Sequence, residues 1–216
     1  MGHYVETMIF DFDGTLANTG DDLADGLNYT LQMMNLPTIA TEVILTFVGD
    51  GIGKLLERSL GEAWNEQRGK EMLEIFPRYY EEHLLDKTVL YPGVLDVLNH
   101  FHGKRKIILT NKRLCFTEKI CDGLQIRDYF VDIIAGDSTP FFKPAPELLD
   151  IIQKRHSFRR DQTVIIGDGA NDLLLAKNTG ILCACHLNGL GKKEDLQALQ
   201  PDMTFEHFAE LKEMLN

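Results

Sequence analysis

A short apolar run that ends in two closely spaced carboxylates constrains this chain of 216 residues more than any other feature. Met8-Ile9-Phe10 has the composition of a buried β-strand, and Asp11-Phe12-Asp13-Gly14-Thr15 follows it directly. Because side chains alternate along a strand, Asp11 and Asp13 lean to the same side. Two carboxylates so close together are unfavourable unless a cation lies between them. The segment therefore predicts a strand end that binds a hard, oxygen-seeking cation such as Mg²⁺.

The composition is that of an ordinary globular protein, with 44% hydrophobic and 25% charged residues. The formal net charge of −11 disfavours non-specific binding to nucleic acid or to an anionic membrane. No apolar run approaches about 18 residues, no signal segment begins the chain, and the four cysteines show neither metal-ligand nor disulfide-framework spacing. We therefore expect a cytoplasmic protein, monomeric or homodimeric, that binds neither nucleic acid nor membranes.

Strand-like and helical patterns alternate along the second half of the chain. This alternation predicts an α/β fold, a doubly wound parallel sheet with helices on both faces. The predicted strands are Thr7–Phe10, Lys106–Leu109, Val131–Ala135, Val164–Ile166 and Ile181–Cys185, and the predicted helices are Val94–Phe101, Leu114–Leu124, a helix opened by Pro144 and Pro146, and Asp172–Thr179.

The interval between the first two predicted strands is much longer than the dozen or so residues that a crossover requires. We therefore predict an inserted α-helical cap domain over residues 16–87, and an α/β core made of residues 1–15 and 88–216. An insertion at this point lies over the carboxyl edge of the sheet, where open α/β sheets bind ligands. The predicted cap helices are Asp21–Met34, Thr41–Phe47, Gly53–Leu60, Glu62–Phe76 and Pro77–Leu85, with a break or kink at Pro77.

Polar residues also follow three later strands. Thr110 offers a hydroxyl and Asn111 a backbone N–H at a strand-to-helix turn, which is a good position for a phosphate group. Lys143 precedes two prolines that fix the backbone, so its ammonium would project from a rigid point. Asp168 ends the next strand, and Asp172 opens a helix, where an acid also complements the helix N-terminus. The strand ends together predict an anion-binding, metal-binding edge of the sheet.

This set of motifs resembles the haloacid dehalogenase-like phosphohydrolases, in order and in spacing, over the whole chain. The helical insertion is similar to the first cap class (C1) of that family. Within the family, the chain is most similar to the phosphoglycolate phosphatases, although Gly169 stands where those enzymes usually carry Ser. The segments that carry the resemblance are DFDGT at 11–15, DGTLANT at 13–19, residues 48–53, TNK at 110–112, KPAPE at 143–147 and GDGAND at 167–172.

The resemblance implies a Mg²⁺-dependent hydrolase of small phosphorylated metabolites that works through an aspartyl-phosphate. Asp11 is the implied nucleophile. Asp13 is the implied acid that protonates the leaving oxygen and then the base that activates water. The implied Mg²⁺ ligands are the Asp11 carboxylate, the Asp13 backbone carbonyl and Asp168.

The resemblance also implies how the phosphate is bound. Thr110, the N–H of Asn111 and Lys143 would bind the equatorial phosphate oxygens. Asp172 would orient either Lys143 or a metal-bound water.

The glycine-rich segment before the third predicted cap helix is the candidate for substrate choice. Backbone N–H groups near Gly51, together with Lys54 or Arg58, could lie over the active site and suit a carboxylate-bearing leaving group. A flexible hinge with a solvated Lys54 is the alternative interpretation.

Other activities stay open on the same residues. A phosphomutase uses the same first steps, and so do pyrophosphatases and nucleotide phosphatases of this fold. A phosphonatase also stays an alternative, because it needs a cap lysine and Lys54 is present. A dehalogenase is disfavoured because it has no use for Asp13 as an acid or base. A non-catalytic binding protein would be free to lose Asp11, Asp13, Lys143 or Asp168, and all four are present.

Overall fold

The computed structural model of the protein describes residues 2–216. In chain order the strands are β1 (Thr7–Phe10), β2 (Ala17–Asn18), β3 (Val89–Leu90), β4 (Arg105–Leu109), β5 (Asp132–Ile134), β6 (Thr163–Gly167), β7 (Leu182–His186) and β8 (Met203–Phe205). The helices are α1 (Gly20–Met33), α2 (Thr41–Leu45), α3 (Ile52–Leu60), α4 (Glu66–His83), α5 (Val94–His100), α6 (Leu114–Gly123), α7 (Glu147–His156), α8 (Ala170–Thr179), α9 (Lys193–Ala198) and α10 (Leu211–Met214).

Six of the strands form one parallel sheet in the order β5-β4-β1-β6-β7-β8. β1 lies between β4 and β6, and its last residue, Phe10, is in register with Ile108 and Ile166. The residues that follow these three strands therefore emerge side by side at one edge of the sheet. The predicted α/β fold with a doubly wound parallel sheet is confirmed.

The sheet is buried on both faces because its central strand places apolar side chains alternately on either side. Met8 and Phe10 belong to a core that also contains Phe116 and Ile120 of α6. Ile9, between them, belongs to a second core with helices α7 and α8 on the opposite face. A strand that is covered on both sides needs a continuous apolar run, which is what residues 7–10 supply.

The chain between β1 and β4 is mainly helical, and its two ends run next to each other. β2 pairs with β3 in antiparallel fashion, so that Ala17 lies opposite Leu90. The Asp22 carboxylate of α1 accepts hydrogen bonds from the backbone N–H groups of Lys87 (3.0 Å) and Thr88 (2.9 Å). These contacts join the two crossings near residues 16 and 87. The division into a cap domain and a core domain stays a prediction.

The predicted division into two helices at Pro77 is wrong. α4 continues from Glu66 to His83 with Pro77 inside it. Met72, Phe76 and Tyr80 recur every four residues on this helix and are all buried. Their packing offsets the hydrogen bond that proline removes, a loss of about 3 kcal/mol. The strands β2, β3 and β8, of two or three residues each, are not among the predicted strands.

Among residues 2–216, no helix combines the length and the apolar character that crossing a membrane requires.

Candidate active site

The carboxyl ends of three adjacent strands supply the polar groups of the site. Asp11 follows β1, Thr110 follows β4 and Asp168 follows β6. The ladder of the sheet extends to the first of these residues, since the N–H of Asp11 donates to the carbonyl of Ile166 at 2.8 Å. The N–H of Thr110 likewise donates to the carbonyl of Ile134 at 3.0 Å. The site residues are therefore fixed by the sheet itself.

Three carboxylates meet at this edge. Asp11, Asp168 and Asp172 each place one oxygen within 4.8 Å of the others, and their exposed fractions are only 9%, 3% and 1%. Burial and the negative charge of Asp172 raise the pKa of Asp11 to about 7. Burial and the charge of Asp11 raise the pKa of Asp168 to about 7 as well. Ionising all of these carboxylates is therefore energetically unfavourable, and a bound cation would remove that cost.

The donor set of this cluster fits Mg²⁺, because it offers only oxygen atoms and these lie close together. The predicted ligands Asp11 and Asp168 are in the cluster. The side chain of Asp13 is not, because its Oδ1 accepts hydrogen bonds from Thr19 (2.6 Å) and Lys112 (3.0 Å) instead. This placement is compatible with the sequence-based prediction, which assigned the metal to the backbone carbonyl of Asp13.

Asp168 is held by both of its oxygens. Thr15 donates to Oδ1 at 2.6 Å, and the backbone N–H of Leu190 donates to Oδ2 at 2.8 Å. Gly14 lets the neighbouring turn come this close: its φ is +83°, and a Cβ on it would lie 2.0 Å from Oδ2 of Asp168. The glycine of the DFDGT motif therefore shapes the space for the Asp168 carboxylate.

Lys143 is a buried cation that joins two of the carboxylates. Its Nζ lies 2.8 Å from Oδ1 of Asp11 and 2.7 Å from Oδ1 of Asp172. Burial alone would lower the pKa of Lys143, but the charges of Asp11 and Asp172 raise it above its usual value. The ammonium stays charged beside the nucleophile candidate. Asp172 contacts Lys143, and its orienting role stays a prediction.

The side chain of Asn111 braces this lysine. Its Oδ1 accepts from the N–H of Lys143 at 2.9 Å, and its Nδ2 donates to the carbonyl of Lys143 at 3.2 Å. The same Nδ2 donates to the carbonyl of Gly49 at 2.9 Å. Asn111, predicted for its backbone N–H, thus also ties strand ends to the segment between α2 and α3. Thr110 is buried, and its hydroxyl accepts from the N–H of Lys112 at 3.2 Å.

Lys112 lies in the site although the sequence did not predict a role for it. Its side chain is 5% exposed, and its Nζ contacts Asp13 and donates to the hydroxyl of Tyr80 at 2.8 Å. A lysine three residues beyond a strand end is commonly solvated, and the sequence contains no signal that places Tyr80 of α4 above it.

The glycine-rich segment contacts residues of the site. Asn171 donates to Oδ1 of Asp50 at 2.7 Å, and Gly51 lines the cavity that contains Asp11. Lys54 lies apart from the carboxylates: its side chain is 56% exposed and pairs with Glu57 at 2.7 Å. Arg58 forms an ion pair with Asp50. The part of Lys54 and Arg58 in substrate choice stays a prediction.

Two cavities meet at Asp11 and Asp13. The smaller, of about 50 Å³, lies beneath α1 and α4 and has apolar walls that include Leu55 and Phe76. The larger, of about 650 Å³, opens on the other side and reaches Arg58. The nucleophile candidate is therefore accessible from the wider cavity and faces a narrow apolar chamber on the other side.

Known proteins with the same fold and sequence pattern agree with this geometry. A sequence model of the haloacid dehalogenase-like hydrolases matches residues 8–185. The phosphoglycolate phosphatase of Colwellia psychrerythraea is 35% identical, covering 95% of this chain and 95% of its own. That of Vibrio parahaemolyticus is 29% identical, covering 98% and 96%.

Among solved structures, a predicted phosphoglycolate phosphatase from Haemophilus somnus has a TM-score of 0.93 at 27% identity, with 97% of both chains covered. The subgroup and the class of phosphoric monoester hydrolase that the sequence predicted are confirmed. The chain belongs to the haloacid dehalogenase-like hydrolases.

Proposed function

We propose that this phosphoric monoester hydrolase acts on a small, carboxylate-bearing phosphate ester such as 2-phosphoglycolate. The observation that supports the chemistry is the buried Asp11 carboxylate, which is paired with Lys143 and adjoins Asp168 at the junction of two cavities. The substrate class follows from the relatives of Colwellia psychrerythraea and Vibrio parahaemolyticus, which are both named phosphoglycolate phosphatases and match nearly the full length of this chain.

Asp11 is the proposed nucleophile. Its Oδ1 accepts from the N–H of Phe12 at 2.7 Å and pairs with Lys143, whereas Oδ2 accepts no hydrogen bond from any residue in the range 2–216. Oδ2 is thus the less engaged oxygen. It attacks phosphorus, and the bond from phosphorus to the ester oxygen breaks, which leaves phosphate on Asp11.

Asp13 is the proposed acid and base. It gives a proton to the departing ester oxygen, and it later takes a proton from the water that attacks the aspartyl-phosphate and frees Asp11. Thr19 and Lys112 hold its carboxylate in one orientation. Because Asp13 gives a proton in the first step and takes one from water in the second, its carboxyl group is protonated again at the end of each cycle.

The remaining groups counter the charge of the phosphoryl group. Mg²⁺, bound by Asp11, Asp168 and the backbone carbonyl of Asp13, would neutralise the approach of one anion to another. Lys143 adds a fixed positive charge, and Thr110 and the N–H of Asn111 offer hydrogen bonds to phosphate oxygens. The narrow chamber beneath α4 favours a leaving group of a few atoms.

A panel of phosphorylated metabolites, assayed with and without Mg²⁺, tests the proposal. The panel contains 2-phosphoglycolate, glucose phosphates, nucleotides, pyrophosphate and p-nitrophenyl phosphate. We expect the highest kcat/KM with 2-phosphoglycolate and no turnover after the metal is removed. A higher kcat/KM with pyrophosphate or nucleotides, or conversion of a glucose phosphate into its isomer, would replace the proposed substrate with one of those classes.

A further inference from the structure

Lys112 links the proposed acid and base to helix α4. Its Nζ lies 3.0 Å from Oδ1 and 3.3 Å from Oδ2 of Asp13, and 2.8 Å from Oη of Tyr80. The same Nζ lies 4.7 Å from the centre of the Tyr80 ring. Asp13 follows β1, Lys112 follows β4 and Tyr80 lies on α4, so three separate parts of the chain meet at one ammonium.

The buried ammonium of Lys112 depends on its protein partners for charge pairing and hydrogen bonds. A buried charge is costly unless it is paired and hydrogen-bonded. Lys112 satisfies that condition with Asp13 from the sheet edge and with Tyr80 from α4. The Tyr80 hydroxyl is buried, so it can accept from the ammonium without a competing water. Removing either partner leaves Lys112 with fewer hydrogen bonds in an apolar surrounding.

The consequence for Asp13 is a fixed carboxylate. Thr19 and Lys112 both bind Oδ1, and the weaker contact of Lys112 with Oδ2 sets the plane of the group. Lys112 has no contact with Asp11 among its hydrogen bonds and ion pairs, so this arrangement leaves the nucleophile unaffected. A proton donor must lie within about 3 Å of its acceptor, which makes the orientation of Asp13 decisive for leaving-group departure.

We propose that Lys112 is a positioning residue for Asp13, and that Tyr80 holds Lys112 in place only while α4 is seated against the sheet edge. This inference rests on the proposed role of Asp13. Acid catalysis would then depend on the position of α4 through one buried contact. An enzyme with α4 displaced would still have Asp11 and Lys143 in place, but it would protonate leaving groups poorly.

The test compares kcat/KM for two substrates that differ in their need for acid. An alkyl phosphate such as 2-phosphoglycolate needs a proton on its departing oxygen, whereas p-nitrophenolate departs without one. For Lys112→Met we expect a fall of about 10- to 100-fold with 2-phosphoglycolate, part of the 10²–10⁴ that acid–base catalysis supplies, and at most about threefold with p-nitrophenyl phosphate. Tyr80→Phe keeps the ring and should show the same selectivity with a smaller fall.

The matched controls also involve α4. Lys119 of α6 pairs with Glu81 of α4 on the surface, so Lys119→Met removes a different lysine that contacts α4 and leaves Asp13 untouched. Tyr79→Phe removes a hydroxyl from the neighbouring position of α4. Both should leave the ratio of the two kcat/KM values unchanged. In the double variant of Lys112 and Tyr80, the second substitution should add little, because both act through one contact.

An equal fall with both substrates in Lys112→Met and in Tyr80→Phe would overturn the inference, and so would wild-type values in both. If Lys112→Met fails to fold, Tyr80→Phe decides alone, since it keeps every charge. If the wild-type protein hydrolyses neither ester, both the proposed function and this inference are refuted. If the wild-type protein hydrolyses both esters and the variants slow both of them equally, only the inference is refuted.

Discussion

Asp168→Asn should stabilise the metal-free protein at pH 8, although it removes a proposed metal ligand. Burial and the charge of Asp11 raise the pKa of Asp168 from 3.8 to about 7. The native state therefore binds more protons than the unfolded state between these two values, and the free energy of unfolding falls as the pH rises through that window. Above pH 7 the full cost of ionising Asp168 is present, about 4 kcal/mol.

The asparagine removes that charge at a smaller cost in hydrogen bonds. Its oxygen can still accept from the N–H of Leu190, and its amide can donate to the hydroxyl of Thr15. We expect a net gain of about 1–3 kcal/mol at pH 8 in EDTA, which is about 2–12 °C in Tm for a chain of this size. At pH 5 the gain should be lost, because about 3 of the 4 kcal/mol accumulate between pH 5 and pH 8, while native Asp168 goes from protonated to ionised.

The difference in Tm between the wild type and Asp168→Asn is measured by thermal unfolding followed by circular dichroism. The conditions are EDTA at pH 5, EDTA at pH 8, and Mg²⁺ at pH 8. Mg²⁺ should raise the Tm of the wild type and leave that of Asp168→Asn nearly unchanged. Asp161→Asn is the control, since Asp161 is on the surface and pairs with Arg159. A variant less stable than wild type in EDTA at pH 8, with an undiminished response to Mg²⁺, would refute the reasoning.

Three further predictions concern activity. Turnover should need a divalent hard metal, with Mg²⁺ best and Ca²⁺ inhibitory because it prefers looser geometry with more ligands; full activity after exhaustive EDTA treatment would contradict this. Lys143→Met should lower kcat by about 100-fold or more, because the phosphoryl oxygens lose a buried cation; steady-state kinetics that show only a changed KM would argue for simple binding. Lys54→Ala should change the preference among phosphate esters more than it changes hydrolysis of p-nitrophenyl phosphate; an equal effect on every ester, or none, would make Lys54 a solvated residue paired with Glu57.

The strand ends of the site could be predicted from the sequence because the information is local. An apolar run followed by Asp11 or by Asp168 identifies a buried strand and its polar end. Parallel pairing then brings those ends to one edge without any knowledge of side-chain packing. The resemblance to the family implied that Asp172 orients either Lys143 or a metal-bound water, and the structure has Nζ of Lys143 2.7 Å from Oδ1 of Asp172.

The contacts between helices and sheet edge could not be predicted in this way. Lys112 and Tyr80 are 32 residues apart, and only tertiary packing decides that they touch. The continuity of α4 through Pro77 likewise depends on a buried apolar face, which outweighs the local preference of proline. Lys54 was predicted from its place beside the glycines, yet its nearest partner is Glu57, one helical turn away.

Trapping the phosphorylated enzyme tests the central claim most directly, namely that Asp11 is the nucleophile. The protein is mixed with 2-phosphoglycolate and Mg²⁺, quenched within milliseconds, and treated with borohydride, which reduces an acyl phosphate to an alcohol. Mass spectrometry of the peptide that contains the DFDGT motif should then show homoserine at position 11. Asp11→Asn should show no such product, and its phosphate release should be at least about 1000-fold slower. Reduction at another carboxylate, or phosphate release by Asp11→Asn above about a tenth of the wild-type rate, would contradict the account.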